Sequence, residues 1–410
     1  MFDIKGSCIF PTKSREPDSA VLGVLNSSSV TKLLAFTSPT LDFSTGAIES
    51  VPVPFLTDTQ TDELRQLVDS AISYAKTDWD RSEMSWDYRE HELAEFSKGN
   101  LDQFCKTVVK RRLAHIANVD ETQGQIDSTV ATLFGIENEN LHPHESSDLS
   151  QETLPPDTMR EFISYAVGCM LGRYSLDKPG LILANQGETA DDYRKLVSEP
   201  TFVPDEDNVI PLLDGDWFTD DISERFKEFL KVTFGTEHYE ENLTFLENAL
   251  YPDNLTGKKR KTIRDYFLKE FYKHHIKLYK KRPIYWLFSS KPGTGAAFSA
   301  LIYMHRYRPD TVSVVLNDYL REFMTKLRSK IEALQQLADS GDAAKTEKTK
   351  ALKEITKLNK QLKELEDYDR DVLFPLATKQ VEIDLDDGVK HNYNLFGTAL
   401  KKVTGLTGKG

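Results

Sequence analysis

Apolar residues return at helical spacing along most of this chain. From Thr57 to Thr77, Leu64, Leu67, Val68, Ala71, Ile72 and Ala75 line one face, and the opening TDTQTDEL supplies an N-cap with carboxylates in the first turn. The same spacing predicts helices over most of Leu93 to Gly135, in two stretches, and over Asp157 to Leu176, Asp220 to Gly235, Glu240 to Leu250 and Thr262 to Lys280. In the last of these, Ile263, Tyr266, Phe267, Phe271, Ile276 and Leu278 form the apolar cover. The clearest stripe runs from Asp318 to Asp367. Leu320, Met324, Leu327, Ile331, Leu334 and Ala338 approximate a and d positions, DSGDAAKTEKTK interrupts them, and Leu352, Ile355, Leu358, Leu362 and Leu365 resume. That pattern is an antiparallel helical hairpin, a structural arm able to bind a partner helix.

Strand signals are sparse. Residues 6–56 read as strand, helix, strand: SCIF is short and β-prone, residues 18–38 carry helical spacing, and LDFSTGAIESVPVP alternates until two prolines stop it. The tail VEIDLDDGVKHNYNLFGTALKKVTGL suggests a short strand, a turn and a closing helix. The expected fold class is mainly α with a small α/β N-terminal module and a helical C-terminal region containing the hairpin. The expected divisions are 1–56, the end of an α/β module; 57–150, a helical connector; 151–317, a helical core; 318–367, the arm; and 368–410, the tail. In DWDRSEMSWDY, Trp79 and Trp86 suit an aromatic clamp holding a loop on a core, with base stacking as the sharper alternative.

Composition narrows the class. The 410 residues carry a net charge of -13, so any nucleic-acid contact requires a local basic surface. Charge is uneven: Phe202 to Glu224 holds eight carboxylates and no Lys or Arg, whereas Lys258 to Arg282 holds eleven Lys or Arg against Asp265 and Glu270. No run reaches the roughly 18 apolar residues that span a bilayer, and the start lacks the pattern of a secretion signal, which points to a cytoplasmic protein without membrane partners. Cys8, Cys105 and Cys169 are far apart without CxxC spacing and are expected to be reduced packing residues.

The glycine segment KPGTGAAFSA, between two apolar runs, resembles a cofactor loop only superficially. It lacks the Lys of a phosphate-binding loop, Phe298 occupies the third glycine of a dinucleotide fingerprint, and Ser290 and Lys291 stand where a methyltransferase loop has its acidic entry. A target-amine clamp of the Asn-Pro-Pro-Tyr type is absent from the sequence. The acidic segments lack EF-hand spacing, the histidine pairs HPH and KHH lack metal-site partners, and no nuclease-type acidic-x-Lys triplet stands beside an upstream Asp. No catalytic, cofactor-binding or metal residue is therefore expected. What remains is GKKRKTIRDYFLKEFYKHHIKLYKKRP, where cations interleave with aromatics as phosphate contact and stacking require. The candidates are Lys258, Lys259, Arg260, Lys261, Arg264, Lys280, Lys281 and Arg282, with Arg306 and Arg308 as an extension. The competing reading is a basic face neutralised by the acidic segment.

Five separated passages, ISYAVGCMLGRYSLDKPGLI, PDEDNVIPLLDGDWFTDDISERFKEFLKVTFG, RDYFLKEFYKHHIKLYKKRPIYWLFSS, FSALIYMHRY and VEIDLDDGVKHNY, together resemble the C-terminal half of the PglX family. These are adenine-specific DNA methyltransferases of BREX phage-exclusion systems, similar in layout to single-chain type II restriction–modification enzymes. The resemblance runs from about Ser19 nearly to the end. It implies methyl transfer from S-adenosylmethionine to adenine N6 by the full-length enzyme. Its implied partners are duplex DNA, other BREX proteins, the catalytic N-terminal half, and phage-encoded DNA-mimic inhibitors. The family's cofactor loop and clamp lie in that N-terminal half, which would make this chain an expressed fragment or one product of a split gene.

Overall fold

In a computed structural model the residues described are 19–38, 43–95, 99–136, 154–256, 260–340 and 343–407. The chain divides into two compact units, Met1–Tyr88 with Lys106–Pro155, and Arg89–Cys105 with Pro156–Gly410.

Every secondary-structure element among the first unit's described residues is a helix. It contains α1 (Ser19–Leu25), α2 (Ser28–Thr37), α3 (Thr45–Glu49), α4 (Asp58–Asp80) and most of α5 (Leu101–Leu133). The α4 start is the one the sequence predicts: Gln60 N donates to Thr57 Oγ1 at 3.3 Å while Thr57 N donates back to Gln60 Oε1 at 3.0 Å. Leu64 and Val68 of α4 meet Ala20, Val24, Val30 and Leu34 in a small core with Ile126 and Val130. Asp127 ties α5 to α2, accepting from Ser28 N at 2.8 Å and Ser28 Oγ at 2.6 Å.

Three expectations change here. The alternating segment expected as a strand is helix α3 at Thr45–Glu49, because Ser44 caps it by accepting from Ala47 N. Leu101–Leu133 is one helix rather than two. Trp86 is fully exposed and Trp79 about half exposed, so neither works as a clamp on a core. The SCIF strand falls outside the described residues.

The second unit continues with α6 (Leu154–Met170), α7 (Ala190–Leu196), strand β1 (Ile210–Pro211), α8 (Ile222–Phe234), α9 (Tyr239–Leu250) and a helical run of α10 (Ile263–Tyr266), a π turn over Phe267–Phe271 and α11 (Tyr272–Leu278). Strands β2 (Tyr285–Ser289) and β3 (Ser299–Tyr303) follow. Then come α12 (Thr311–Val314), a second π turn, α13 (Glu322–Asp339), α14 (Lys345–Tyr368), α15 (Phe374–Lys379) and α16 (Gly388–Asn394). The sheet is antiparallel with order β1-β3-β2, Ile210 facing Leu301 and Leu287 facing Leu301 from the other side. The expected hairpin arm is α13 and α14, with Arg328 on Glu366 at 2.9 Å between them and Arg321 on Asp369 at 2.8 Å between the π turns at their base.

Tyr285, Trp286, Leu287 and Phe288 are all buried, so this strand is covered on both faces. The short strand expected in the tail does not form, and Val381–Asp384 joins no sheet. Its carbonyls are taken by side chains instead, Val381 O by Tyr307 Oη at 2.7 Å and Ile383 O by Gln186 Nε2 at 2.7 Å. The closing helix is also displaced: α16 ends at Asn394, and the chain beyond it passes through turns over residues 395–398 to a bridge between Leu400 and Phe288. Cys105 and Cys169 are buried thiols outside any disulfide, as expected of packing residues, and Cys8 lies outside the described residues. No single helix among the described residues is long and apolar enough to cross a membrane.

The core tolerates little extra volume at α6. A methyl group on Gly168 would lie 2.4 Å from Tyr174 Cδ2, whereas one on Gly293 would meet nothing within 4 Å. Gly168→Ala is expected to destabilise by about 1–3 kcal/mol and Gly293→Ala to stay within about 0.5 kcal/mol, read from urea unfolding midpoints.

The buried His275 and the half-buried His305 give the fold an acid-sensitive component. His275 and His305 are held neutral by burial and by the nearby Arg173 guanidinium, and His305 is pushed down from 6.5 to about 4. Between those values the unfolded chain binds a proton that folded His305 does not, so stability falls as pH drops through this window. His305→Gln should flatten that fall. The test is the difference between variant and parent in unfolding midpoint at neutral pH and near pH 5, in which contributions from the buried carboxylates cancel.

Candidate nucleic-acid interface

The basic segment is built on the α10–α11 run, whose buried face is Ile263, Tyr266, Phe267, Phe271, Tyr272 and His275. Thr262 starts it in a reciprocal cap with Asp265. With that face fixed inward, the cations project outward, and the structure sorts them into two groups.

The first group is engaged within the protein. Arg264 reaches into the acidic segment: its Nη1 donates to Leu213 O and Gly215 O, both at 2.9 Å, and to Asp221 Oδ1 at 3.0 Å, while Nη2 meets Asp216 Oδ1 at 2.5 Å. Asp221 is almost fully buried, and burial raises its carboxyl while Arg264 opposes the rise. Arg260 places Nε and Nη2 on Glu247 Oε2 at 3.1 and 2.9 Å, and the buried Glu247 also accepts from Ile263 N. Lys261 lies over the Tyr251 ring at 4.7 Å, and Lys269 pairs with Asp265 at 2.5 Å. Arg306 is buried, donating to the carbonyls of Leu171, Asp205 and Glu206, so it does not extend the surface as expected. Arg308 is exposed beside Asp310 at 3.2 Å. Lys258 and Lys259 lie outside the described residues.

The second group is exposed. Lys273, Lys277, Lys280, Lys281 and Arg282 form no ion pair with any described residue. The C-terminal segment brings two more cations to them. Lys401 N donates to Leu287 O at 2.8 Å and Lys402 N to Pro292 O at 3.2 Å, which lays the segment along β2 and the glycine loop. Tyr393 fixes it from below, donating to Lys401 O at 2.5 Å and bonding Tyr272 Oη at 3.1 Å. The Lys401 ammonium donates to Gly293 O, and its pKa is lowered by partial burial and by the neighbouring Lys273. The sequence places Lys273 and Lys277 within the basic block without singling them out, and it gives no weight to Lys401 and Lys402. The available signal for the latter is the Lys pair straight after the apolar NLFGTAL.

The glycine loop joins β2 to β3, which are antiparallel, with Gly295 at φ +75°. It is a hairpin turn between the two apolar runs. Phosphate-binding glycine loops of the dinucleotide type instead lead from a strand into a helix. Glu364 anchors the loop through Lys291 Nζ at 2.5 Å, Ser290 Oγ at 2.6 Å and Ala297 N at 2.9 Å.

This unit is therefore mainly helical and presents an exposed cationic surface on an acidic chain. No family model matches the sequence. Along its whole length it is 35% identical to the adenine-specific methyltransferase BrxX of Escherichia coli O9:H4 (strain HS), of which it covers 35%. It is 34% identical over 96% of its length to the adenine-specific methyltransferase PglX of Lacticaseibacillus casei (strain Zhang), of which it covers 32%. The chain is thus similar over nearly its whole length to adenine-specific methyltransferases, as its residues suggest, and it spans about a third of their length.

Lys280 and Lys281 hold φ of 48° and 65°, a left-handed conformation that costs a side-chain-bearing residue about 1 kcal/mol or more. Lys281→Gly is expected to leave stability unchanged or raise it by up to about 1 kcal/mol. Urea unfolding of variant and parent side by side measures the difference.

Proposed function

We propose that this chain is the DNA-engaging and scaffolding part of a BREX N6-adenine methyltransferase, holding duplex for methyl transfer carried out by a catalytic part elsewhere. The observation that carries this reading is the group of exposed cations from Lys273 to Arg282 together with Lys401 and Lys402, left without carboxylate partners among the described residues on a chain of net charge -13. A protein with that net charge meets DNA only through such a local surface. The left-handed Lys280 and Lys281 add to it, since side chains held in costly backbone conformations concentrate at working sites. Arg260 and Arg264, being paired internally, serve mainly to fix the helix that presents this surface.

On this proposal S-adenosylmethionine is bound by the catalytic part, and other BREX proteins and acidic phage-encoded DNA mimics are partners. A second reading, a protein-interaction module, draws on Leu337 and Leu352, which are exposed on the hairpin arm.

Binding to duplex DNA is expected to weaken with salt. Charge reversal of Lys280, Lys281 and Arg282 should reduce the slope of log affinity against log salt by about 0.9 for each phosphate no longer neutralised. An unchanged slope and affinity, with loss of BREX-protein capture on Leu337→Glu and Leu352→Glu substitution, would favour the second reading.

A further inference from the structure

The outer face of α14 carries a run of one sign of charge. Lys350, Lys353, Lys357 and Lys360 follow one another at intervals of three, four and three residues, all exposed, on the side opposite the buried Ala351, Ile355, Leu358 and Leu365. Three- and four-residue steps align side chains on one helix face. Within this run Lys357 meets Glu354 at a loose 3.9 Å, and the other three lysines have no ion pair among the described residues. A solvated arm needs no such ordering of like charges, which repel one another along the helix.

The run has a defined continuation. Glu364 lies four residues beyond Lys360 on the same face, and it is fully occupied by Lys291, Ser290 and the Ala297 amide. Its negative charge is thereby neutralised instead of interrupting the run. The loop it anchors accepts the Lys401 ammonium at Gly293 O, and Lys401 adjoins Lys273 of α11. The glycine loop is therefore a junction, with the lysines of the arm on one side and Lys273 to Arg282 on the other.

We infer that the α14 lysines and the α11 cations form one continuous track for the phosphate backbone of a nucleic-acid duplex, joined through the Glu364-anchored glycine loop. This rests on the DNA-engaging reading above and extends it onto the arm. Lys350 to Glu364 covers fourteen helical steps, or about 21 Å at 1.5 Å each. Duplex rises 3.4 Å per base pair, so the arm accounts for about six base pairs, a little over half a turn.

The test uses the whole chain with synthetic duplexes of increasing length and three variant sets whose folding is checked by thermal unfolding. Lys353→Gln, Lys357→Gln and Lys360→Gln together should lower affinity for a long duplex about 10- to 100-fold and reduce the salt slope by about 2 to 3. They should also shorten the duplex length at which affinity levels off, by about the three base pairs that the roughly 10.5 Å from Lys353 to Lys360 covers. The corresponding Lys→Arg set should bind like the parent, because phosphate contact needs the charge and the arm's packing involves other residues. If the Gln set binds like the parent while charge reversal at Lys280, Lys281 and Arg282 abolishes binding, the arm is not part of the track and the DNA-engaging reading stands. If neither set alters binding, both fail. Equal loss in the Gln and Arg sets would trace the effect to side-chain packing and overturn the track.

Discussion

A three-stranded sheet with two buried faces must close both of its edges, and that requirement organises the larger unit. β2 and β3 place Tyr285 to Phe288 and Ala300 to Tyr303 out of water, so neither strand can leave its backbone groups open to solvent. On one side the two residues of β1 pair with β3 at Leu301 and Ala300. On the other, the C-terminal segment covers β2: Ser289 N donates to Ala399 O at 3.0 Å and Lys401 N to Leu287 O at 2.8 Å. Closing this second edge is what delivers Lys401 and Lys402 to the glycine loop and to Lys273. The basic surface is thus a by-product of satisfying a strand.

Electrostatics then divides the cations by depth. Arg264 and Arg306 turn inward, toward the acidic segment and its carbonyls, and there they offset the burial of Asp221 and Asp205. A buried carboxylate stripped of its partner would be costly, so these arginines are bound to the fold. Beyond Phe271 no described carboxylate of the acidic segment pairs with α11, and the lysines there remain in water. Side by side on one helix, the same residue types serve opposite ends: interior neutralisation in the first turns and an open cationic field in the last.

The class of fold was legible because its signal is local. Helical periodicity marked α4, α6, α8, α9, α13 and α14, and the broken heptad stripe of 318–367 specified a hairpin because its two halves can bury their leucines against each other. The misreadings share one cause, which is that a short pattern is settled by its surroundings. LDFSTGAIESVPVP alternates over too few residues to outweigh the Ser44 cap that starts a helix, and VEID joins no sheet because side chains from elsewhere take its carbonyls. The aromatic pair Trp79 and Trp86 has the composition of a core and faces solvent, which composition cannot distinguish.

The candidate surface followed the same division. From the sequence alone came the mainly helical architecture, the arm, the family resemblance and the fact that any nucleic-acid contact must sit on a basic patch within an acidic chain. Only the tertiary structure decided which cations of that block stay in water, since pairing depends on residues distant in the chain: Glu247 holds Ile263 N from 16 positions away, and Leu213 O holds Arg264 from 51. It also decided that Lys401 belongs beside Lys273, 128 residues earlier. Periodicity records which face of an element is wet, whereas charge compensation is a property of what the folded chain brings alongside it.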